Sequence, residues 1–283
     1  MVITTLVENS RISKEYINKP GLCIHLKTEK HNILFDLGPD DTFIKNAKKL
    51  NINIKDVDTV IISHGHKDHG GGLEAFLKQN DKAKIYISKY AFDNYYASFL
   101  RYAKFYVGLN QELKENKRIV LTDEIYNIDE EMTLISNITG DVLLPKGNSN
   151  LFIKDNDKVI LDNFKHEQHL ILNDNGKNIL ISGCSHTGII NILQDIEKRV
   201  GLKIEFIIGG LHLYNPINKK TEKLSLINEL GNKLLEKNIK IYTCHCTGVK
   251  AFDLLNNILG SNIKPIKTGQ VIDLVNKNLE LIY

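Results

Sequence analysis

The chain has no tryptophan, two methionines, five prolines and four cysteines, and no long hydrophobic run. The lack of tryptophan, beside many Lys, Asn and Ile, fits a genome of biased base composition and excludes no function. Four cysteines in 283 residues (Cys23, Cys184, Cys244 and Cys246) are too few for a disulfide framework, so a reducing compartment, the cytoplasm, is expected. No apolar stretch reaches the roughly 18 residues that a membrane span needs. The opening residues, MVITTLVENSR, lack a basic segment followed by an apolar one, so no secretory signal is expected. Charge of one sign is also scarce: the net +3 is spread as single lysines, which gives no footprint for nucleic acid. Neither G-x-S-x-G nor G-x-x-x-x-G-K-[ST] occurs, which removes a serine-nucleophile elbow and a nucleotide-phosphate loop. No linker rich in Pro, Gly or Ser interrupts the chain, and residues 1–283 are expected to form one domain.

What is present is an alternation of short β-branched runs with longer helical patterns. Strands are expected at 2–7, 22–26, 33–36, 59–63, 84–88, 170–173, 178–182, 204–209, 239–243 and 271–274. Helices are expected at 41–50, 73–78, 189–199, 223–236 and 248–259. This order defines an α/β protein. The runs at 59–63 and 204–208 are mainly apolar, as in strands covered on both faces, whereas Leu-Cys-Ile-His-Leu at 22–26 is mixed, as nearer a sheet edge. Residues 90–166 read differently, with an aromatic cluster followed by irregular polar segments. They are expected to be an insertion that contributes to a substrate cleft, with Tyr90, Tyr95, Tyr96, Tyr102 and Tyr106 either on its wall or in packing.

Residues 63–72 read SHGHKDHGGG, with His64, His66, Asp68 and His69 within six positions. The loop follows the buried strand and precedes a helix, so it leaves the C-terminal edge of a sheet, where α/β proteins build sites. Two residues apart in extended chain, His64 and His66 can point the same way. Asp68 and His69 follow once the turn begins, and Gly70, Gly71 and Gly72 permit close backbone approach. Imidazole nitrogens with one carboxylate suit zinc, with manganese or iron as alternatives.

His-Gly-His-Lys-Asp-His resembles the H-x-H-x-D-H signature of the metallo-β-lactamase-fold superfamily. The resemblance extends along most of the chain through ILFDLG, SGCSHTGIINIL, IIGGLHL and CHCTG. These phrases are similar to one branch, the dihydropterin–ribofuranosylaminobenzene phosphate synthase-like proteins, also described as metal-dependent hydrolases of β-lactamase superfamily II. The resemblance implies a four-layer αββα sandwich with an insertion, and two divalent ions in a cleft at one edge.

One loop cannot complete two metal sites, because a catalytic zinc takes three protein ligands and keeps an open position. His186 and His245 each follow an expected strand and precede a helix, the placement of the first loop. The expected sets are His64, His66 and His186 for one ion, and Asp68, His69 and His245 for the other, with Asp68 also a proton acceptor. Many relatives end the strand before His186 with Gly-Asp, whose carboxylate bridges the ions; here the residues are Gly183 and Cys184. Cys184 is either a soft ligand or a buried inert thiol. Strand alternation points Cys244 and Cys246 away from His245, and both are read as packing. Asp36 is expected to orient a ligand histidine. His212 is a substrate contact or a core residue, and Glu167 lies near the site by resemblance. HEQH at 166–169 is not a zincin helix, since its histidines are three apart. His25 and His31 are read as structural or exposed.

The expected activity is metal-assisted hydrolysis by metal-bound hydroxide, on a phosphoester, phosphodiester or related ester of a small molecule. Two alternatives stand beside it. One is a synthase-like condensation of a pterin diphosphate with an aromatic ribose phosphate, implied by the branch. The other is a metal-stabilised binding module without turnover. A redox di-iron centre is disfavoured, because its relatives commonly carry a carboxylate at the position of His66.

Overall fold

The computed structural model describes residues 1–99, 103–156 and 158–274. Tyr102 lies outside the described residues. Among the described residues the chain divides into two compact units, the first from residues 1–92, 109–122 and 266–274, the second from 93–108 and 123–265.

The first unit is built on a seven-stranded sheet. Its spatial order is Val271–Asp273, Val2–Val7, Cys23–Lys27, Asn32–Phe35, Thr59–Ile62, Lys84–Ser88 and Ile119–Thr122. The early strands pair antiparallel, and those from Asn32–Phe35 to Ile119–Thr122 pair parallel. Leu34, Val60, Ile62, Ile85 and Ile87 form one core with Phe43 and Ala47 of the helix Thr42–Lys49 and with Leu73 and Phe76 of the helix Leu73–Gln79. The alternate residues Ile24, Ile33, Phe35 and Ile61 are buried too, so the sheet is covered on both faces and its central strand reads as an unbroken apolar run. Each such side chain contributes about 1.5–3 kcal/mol by leaving water. The strand expected near an edge, Cys23–Lys27, is interior. Its polar residue, His25, is buried with Nε2 2.5 Å from Asn32 Oδ1, so one ring nitrogen is partnered by the neighbouring strand rather than by solvent.

A second seven-stranded sheet organises the other unit. Its order is Ile263–Pro265, Lys240–Thr243, Phe206–Gly209, Lys177–Ser182, Gln168–Asp174, Met132–Ser136 and Ile125–Asn127. The first four are parallel and the rest antiparallel. Ile189, Ile192, Leu193 and Ile196 recur at helical spacing on the helix Ile189–Arg199 and enter one core with Leu180, Ile207 and Ile241. The helices Leu224–Glu236 and Val249–Leu259 join the same core through Ile227, Leu234 and Leu255.

The segment 90–166 is shared out. Ile119–Thr122 forms the edge of the first sheet, while Ile125–Asn127 and Met132–Ser136 extend the second. Tyr95–Phe99, Ala103–Tyr106, Leu151–Asp155 and Lys158–Leu161 form a separate antiparallel sheet within the second unit.

Candidate metal-binding site

In the first unit, Thr59–Ile62 is flanked on both sides by parallel strands, so its C-terminal end opens onto one edge. The chain then turns into a short helix, Lys67–Gly70, with His66 in extended conformation just before it. The glycines permit close approach: a Cβ on Gly71 would lie 2.3 Å from Pro39 O, and one on Gly72 2.4 Å from Leu37 O. The loop therefore folds tightly against the turn that follows Asn32–Phe35.

That turn carries Asp36, which is fully buried and left-handed, with φ 58°. Its Oδ1 accepts the Ser63 N–H at 2.7 Å, and its Oδ2 accepts the Ser63 hydroxyl at 2.8 Å. His69 Nδ1 lies 2.6 Å from the same Oδ2. Ionised Asp36 can only accept, so His69 Nδ1 carries a proton. Ser63 donates its one hydroxyl hydrogen to Asp36, so its oxygen, 2.8 Å from His64 Nδ1, accepts a hydrogen bond from that ring's N–H. In the neutral rings of His64 and His69 the lone pair is thereby assigned to Nε2, the form in which an imidazole ligates a metal. Asp68 Oδ2 lies 3.8 Å from His69 Nε2. The ring of His64 stands 4.6 Å from that of His66 and 4.2 Å from that of His69. Cys23, fully buried, is kept a thiol by burial and then by the Asp36 charge, which together raise its pKa well above the usual value.

The second unit assembles its group differently. Ser182 pairs with Gly209 and Gly209 with Thr243, so three neighbouring parallel strands end level. The turns that leave them carry Cys184 and His186, then His212, then His245 and Cys246. Three of these turns hold a left-handed residue that is not glycine: Ser185 (φ 59°), His212 (φ 49°) and His245 (φ 50°). Such conformations cost about 1–3 kcal/mol each and need support from their surroundings. Hydroxyls provide it here. Ser185 donates to Gly210 O at 2.8 Å, Thr243 donates to Gly209 O at 3.0 Å, and Thr247 Oγ1 accepts the Leu211 N–H at 2.9 Å.

His186 is held on three sides. Its backbone N–H donates to Glu167 Oε1 at 2.7 Å, and the N–H and hydroxyl of Thr187 donate to Glu167 Oε2 at 2.9 and 2.7 Å. Glu167, expected near the site, thus acts by anchoring the turn. Asn148 brackets the residue: its Nδ2 donates to His186 O at 2.8 Å and its Oδ1 lies 3.0 Å from His186 Nδ1. That contact assigns the proton to Nδ1 and the lone pair to Nε2, as in His64 and His69. Phe164 stacks on the ring, with centroids 4.5 Å apart and planes 8° from parallel. Phe164 is left-handed too (φ 55°), and Asp162 Oδ1 accepts its N–H at 2.8 Å.

The ligand atoms of Cys184, His186 and His212 lie within 4.8 Å of one another, as do those of Cys184, His245 and Cys246. Both cysteines are buried, and neither is in a disulfide. Cys246, expected to pack away from His245, is brought beside it because His245–Thr247 is a 3-10 turn, in which neighbours do not alternate. Burial opposes ionisation of Cys246, but contacts with Cys184, His212 and His245 outweigh it and pull the thiol well below its ordinary pKa. Asn148 had no signal in the sequence, since it lies 38 residues from its partner. His169 was also passed over. It is fully buried, with Nδ1 3.0 Å from Ser182 Oγ, and Ser182 in turn contacts Ser185 at 2.8 Å. Burial lowers its pKa, partly offset by Glu167, so the ring is held neutral. Tyr95 packs on His166 at 4.0 Å, and burial followed by the Asp162 charge raises its phenol pKa. A cleft of about 630 Å³ opens beside His186, lined among others by Leu144, Lys146, Leu161, Asp162 and Phe164.

The imidazole and thiol groups gathered in the second unit can hold a divalent metal ion, and the imidazole and carboxylate groups of the first unit are of ligand type. The family model of the metallo-beta-lactamase superfamily matches residues 18–230, and the chain belongs to that superfamily. Within it, the chain is 30% identical over 289 residues, 95% of each chain, to the 7,8-dihydropterin-6-methyl-4-(beta-D-ribofuranosyl)-aminobenzene-5'-phosphate synthase of Methanocaldococcus jannaschii. The crystal structure of Tm1679, a metal-dependent hydrolase of the beta-lactamase superfamily, is similar with a TM-score of 0.80 and 29% identity, covering 97% of this chain and 99% of that one. Zn(2+)-bound PqqB from Methylobacterium extorquens shares the fold at a TM-score of 0.58 and 10% identity, over 97% of this chain and all of its own. The α/β metallo-β-lactamase fold and the branch expected from the motifs are thus found. Among the described residues no helix is long and apolar enough to cross a membrane.

Proposed function

We propose that this protein is a metal-dependent hydrolase acting on a phosphoester, phosphodiester or related ester of a small molecule. The reading is carried by one observation: hydrogen-bond acceptors on Nδ1 assign the lone pair to Nε2 in His64, His69 and His186. Histidines with only a packing role need no common tautomer. In this reading His64, His66 and His186 hold one ion, and Asp68, His69 and His245 hold the other, both zinc. Bound there, such ions supply Lewis acidity and bring the pKa of a bound water to about 7.

The chain's own residues do the rest. Ser63, Asp36 and Asn148 fix the ring tautomers of His64, His69 and His186, and Glu167 anchors the backbone of the His186 turn. Asp68, part exposed, accepts a proton during turnover. His212, 4.1 Å from the His186 ring, contacts the substrate. The cleft beside His186 offers apolar walls from Leu144, Leu161 and Phe164, and Lys146 for an anionic group.

The test uses metal-reconstituted protein on phosphomonoester, phosphodiester and lactone panels, beside His66→Ala. Turnover by the native protein and its loss in the variant are expected. Equal turnover in the two would overturn the assignment.

A second reading is favoured by the synthase of M. jannaschii, whose similarity spans 95% of this chain. It is condensation of a pterin diphosphate with an aromatic ribose phosphate. Mass spectrometry of the product from that substrate pair separates the two readings: a coupled product favours condensation, and water-dependent cleavage favours hydrolysis.

A further inference from the structure

Cys184 is common to both ligand groups of the second unit: its Sγ lies within 4.8 Å of the ligand atoms of His186 and His212, and of those of His245 and Cys246. Cys246 reaches the same point by a different route. The left-handed backbone of His245 starts the 3-10 turn, so consecutive side chains converge instead of alternating. The Cys246 thiol points at Cys184 O, 3.6 Å away. Space for it exists only because residue 210 is glycine: a Cβ there would lie 2.4 Å from Cys246 Sγ and 3.0 Å from Gly183 O. The chain thus forms a glycine-lined seat for one sulfur beside a second sulfur and an imidazole.

Buried cysteine often serves as a small apolar filler, and Cys23, among aliphatic neighbours of the first core, fits that role. Cys184 and Cys246 have different surroundings, since each lies among imidazole donors.

We propose that Cys184 and Cys246 are thiolate ligands of the metal centre, Cys184 at the position shared by the two groups and Cys246 beside His245. The centre then takes thiophilic divalent ions, such as zinc, cobalt(II) or cadmium, in preference to magnesium, calcium or manganese. Each thiol that binds releases its proton to solvent. The inference rests on the metal-dependent reading above and extends it to the identity of the ion.

The experiment loads the full chain, stripped with chelator, with cobalt(II) and records its absorption. Visible d–d bands report binding, and a near-ultraviolet sulfur-to-cobalt charge-transfer band reports thiolate ligation. The native protein is expected to show both. Cys246→Ser and Cys184→Ser should each lower the near-ultraviolet band by about half and the double variant should abolish it, while Cys23→Ala leaves it intact. Circular dichroism establishes that the variants are folded. Visible bands without the near-ultraviolet band, or a band indifferent to both substitutions, overturn the proposal and leave the metal-dependent reading standing. Absence of all cobalt bands from folded native protein overturns that reading and the proposal together.

Discussion

In the first unit, His64, His66, Asp68 and His69 come from a single loop after a single strand. In the second, Cys184, His186, His212, His245 and Cys246 come from the ends of three strands that are neighbours in the sheet but far apart in the chain. The first group is oriented by one buried carboxylate, Asp36, acting directly on His69 and through Ser63 on His64. The second is oriented piecemeal, by Glu167 and Asn148 around His186 and by hydroxyls around its turns. A compact motif needs one organiser. A dispersed one needs a separate anchor for each turn, and those anchors absorb the strain of left-handed Ser185, His212 and His245.

Substitutions can test whether the two groups are equally indispensable. The largest effect is expected from a candidate ligand in each: His64→Ala and His186→Ala should both lower activity by more than about 100-fold, beyond the 10–100-fold typical for outer partners. A residual rate in only one variant, measured as kcat/KM, would show that one group dominates.

The organisers come next. Asp36→Ala should weaken metal binding toward the upper end of about 10–100-fold and Asn148→Ala toward the lower end, because Asp36 is charged, fully buried and serves two rings. Competition with a chromophoric chelator measures both, and the reverse order would undo the single-organiser account. A smaller effect is expected from Glu167→Gln. It keeps an acceptor for one N–H but turns an amide toward the other donors, for a loss of about 1–3 kcal/mol in denaturant unfolding.

The smallest effect is on pH dependence and belongs to the second unit. His169 has a lowered pKa in the fold, first through burial, so below the ordinary value of about 6.5 the unfolded chain binds its proton more readily than the folded one. Stability is therefore lost as pH falls from that value through the depressed folded pKa, by at most about 1.4 kcal/mol per pH unit for this one group. His169→Gln should flatten that part of the curve, read from urea midpoints between neutral and mildly acidic pH. An unchanged slope would mean that the ring is not held neutral.

Much of this was legible along the chain. Apolar periodicity placed the helix Ile189–Arg199 and the strands Val2–Val7 and Lys84–Ser88 without error, and the HGHKDH spacing pointed to the first candidate ligand group. Local rules failed where local conformation was overridden. Cys246 was read by strand alternation, but a 3-10 turn governs it. The mixed pattern of strand Cys23–Lys27 suggests a place nearer an edge, but its His25 meets Asn32 of the neighbouring strand through Nε2. The seven strands within 90–166 gave weak patterns, since four of them form a small sheet with many exposed residues.

Periodicity and motif spacing, which depend on residues a few positions apart, were enough to settle the α/β class and the helices and to mark residues 64–69 as a candidate metal-binding loop. Strand register and backbone handedness settled the rest: that Ser182, Gly209 and Thr243 end level, that Asn148 reaches His186, and that Cys246 turns toward Cys184. These contacts join residues tens of positions apart, and their geometry follows from how whole strands pair, which short-range pattern does not encode.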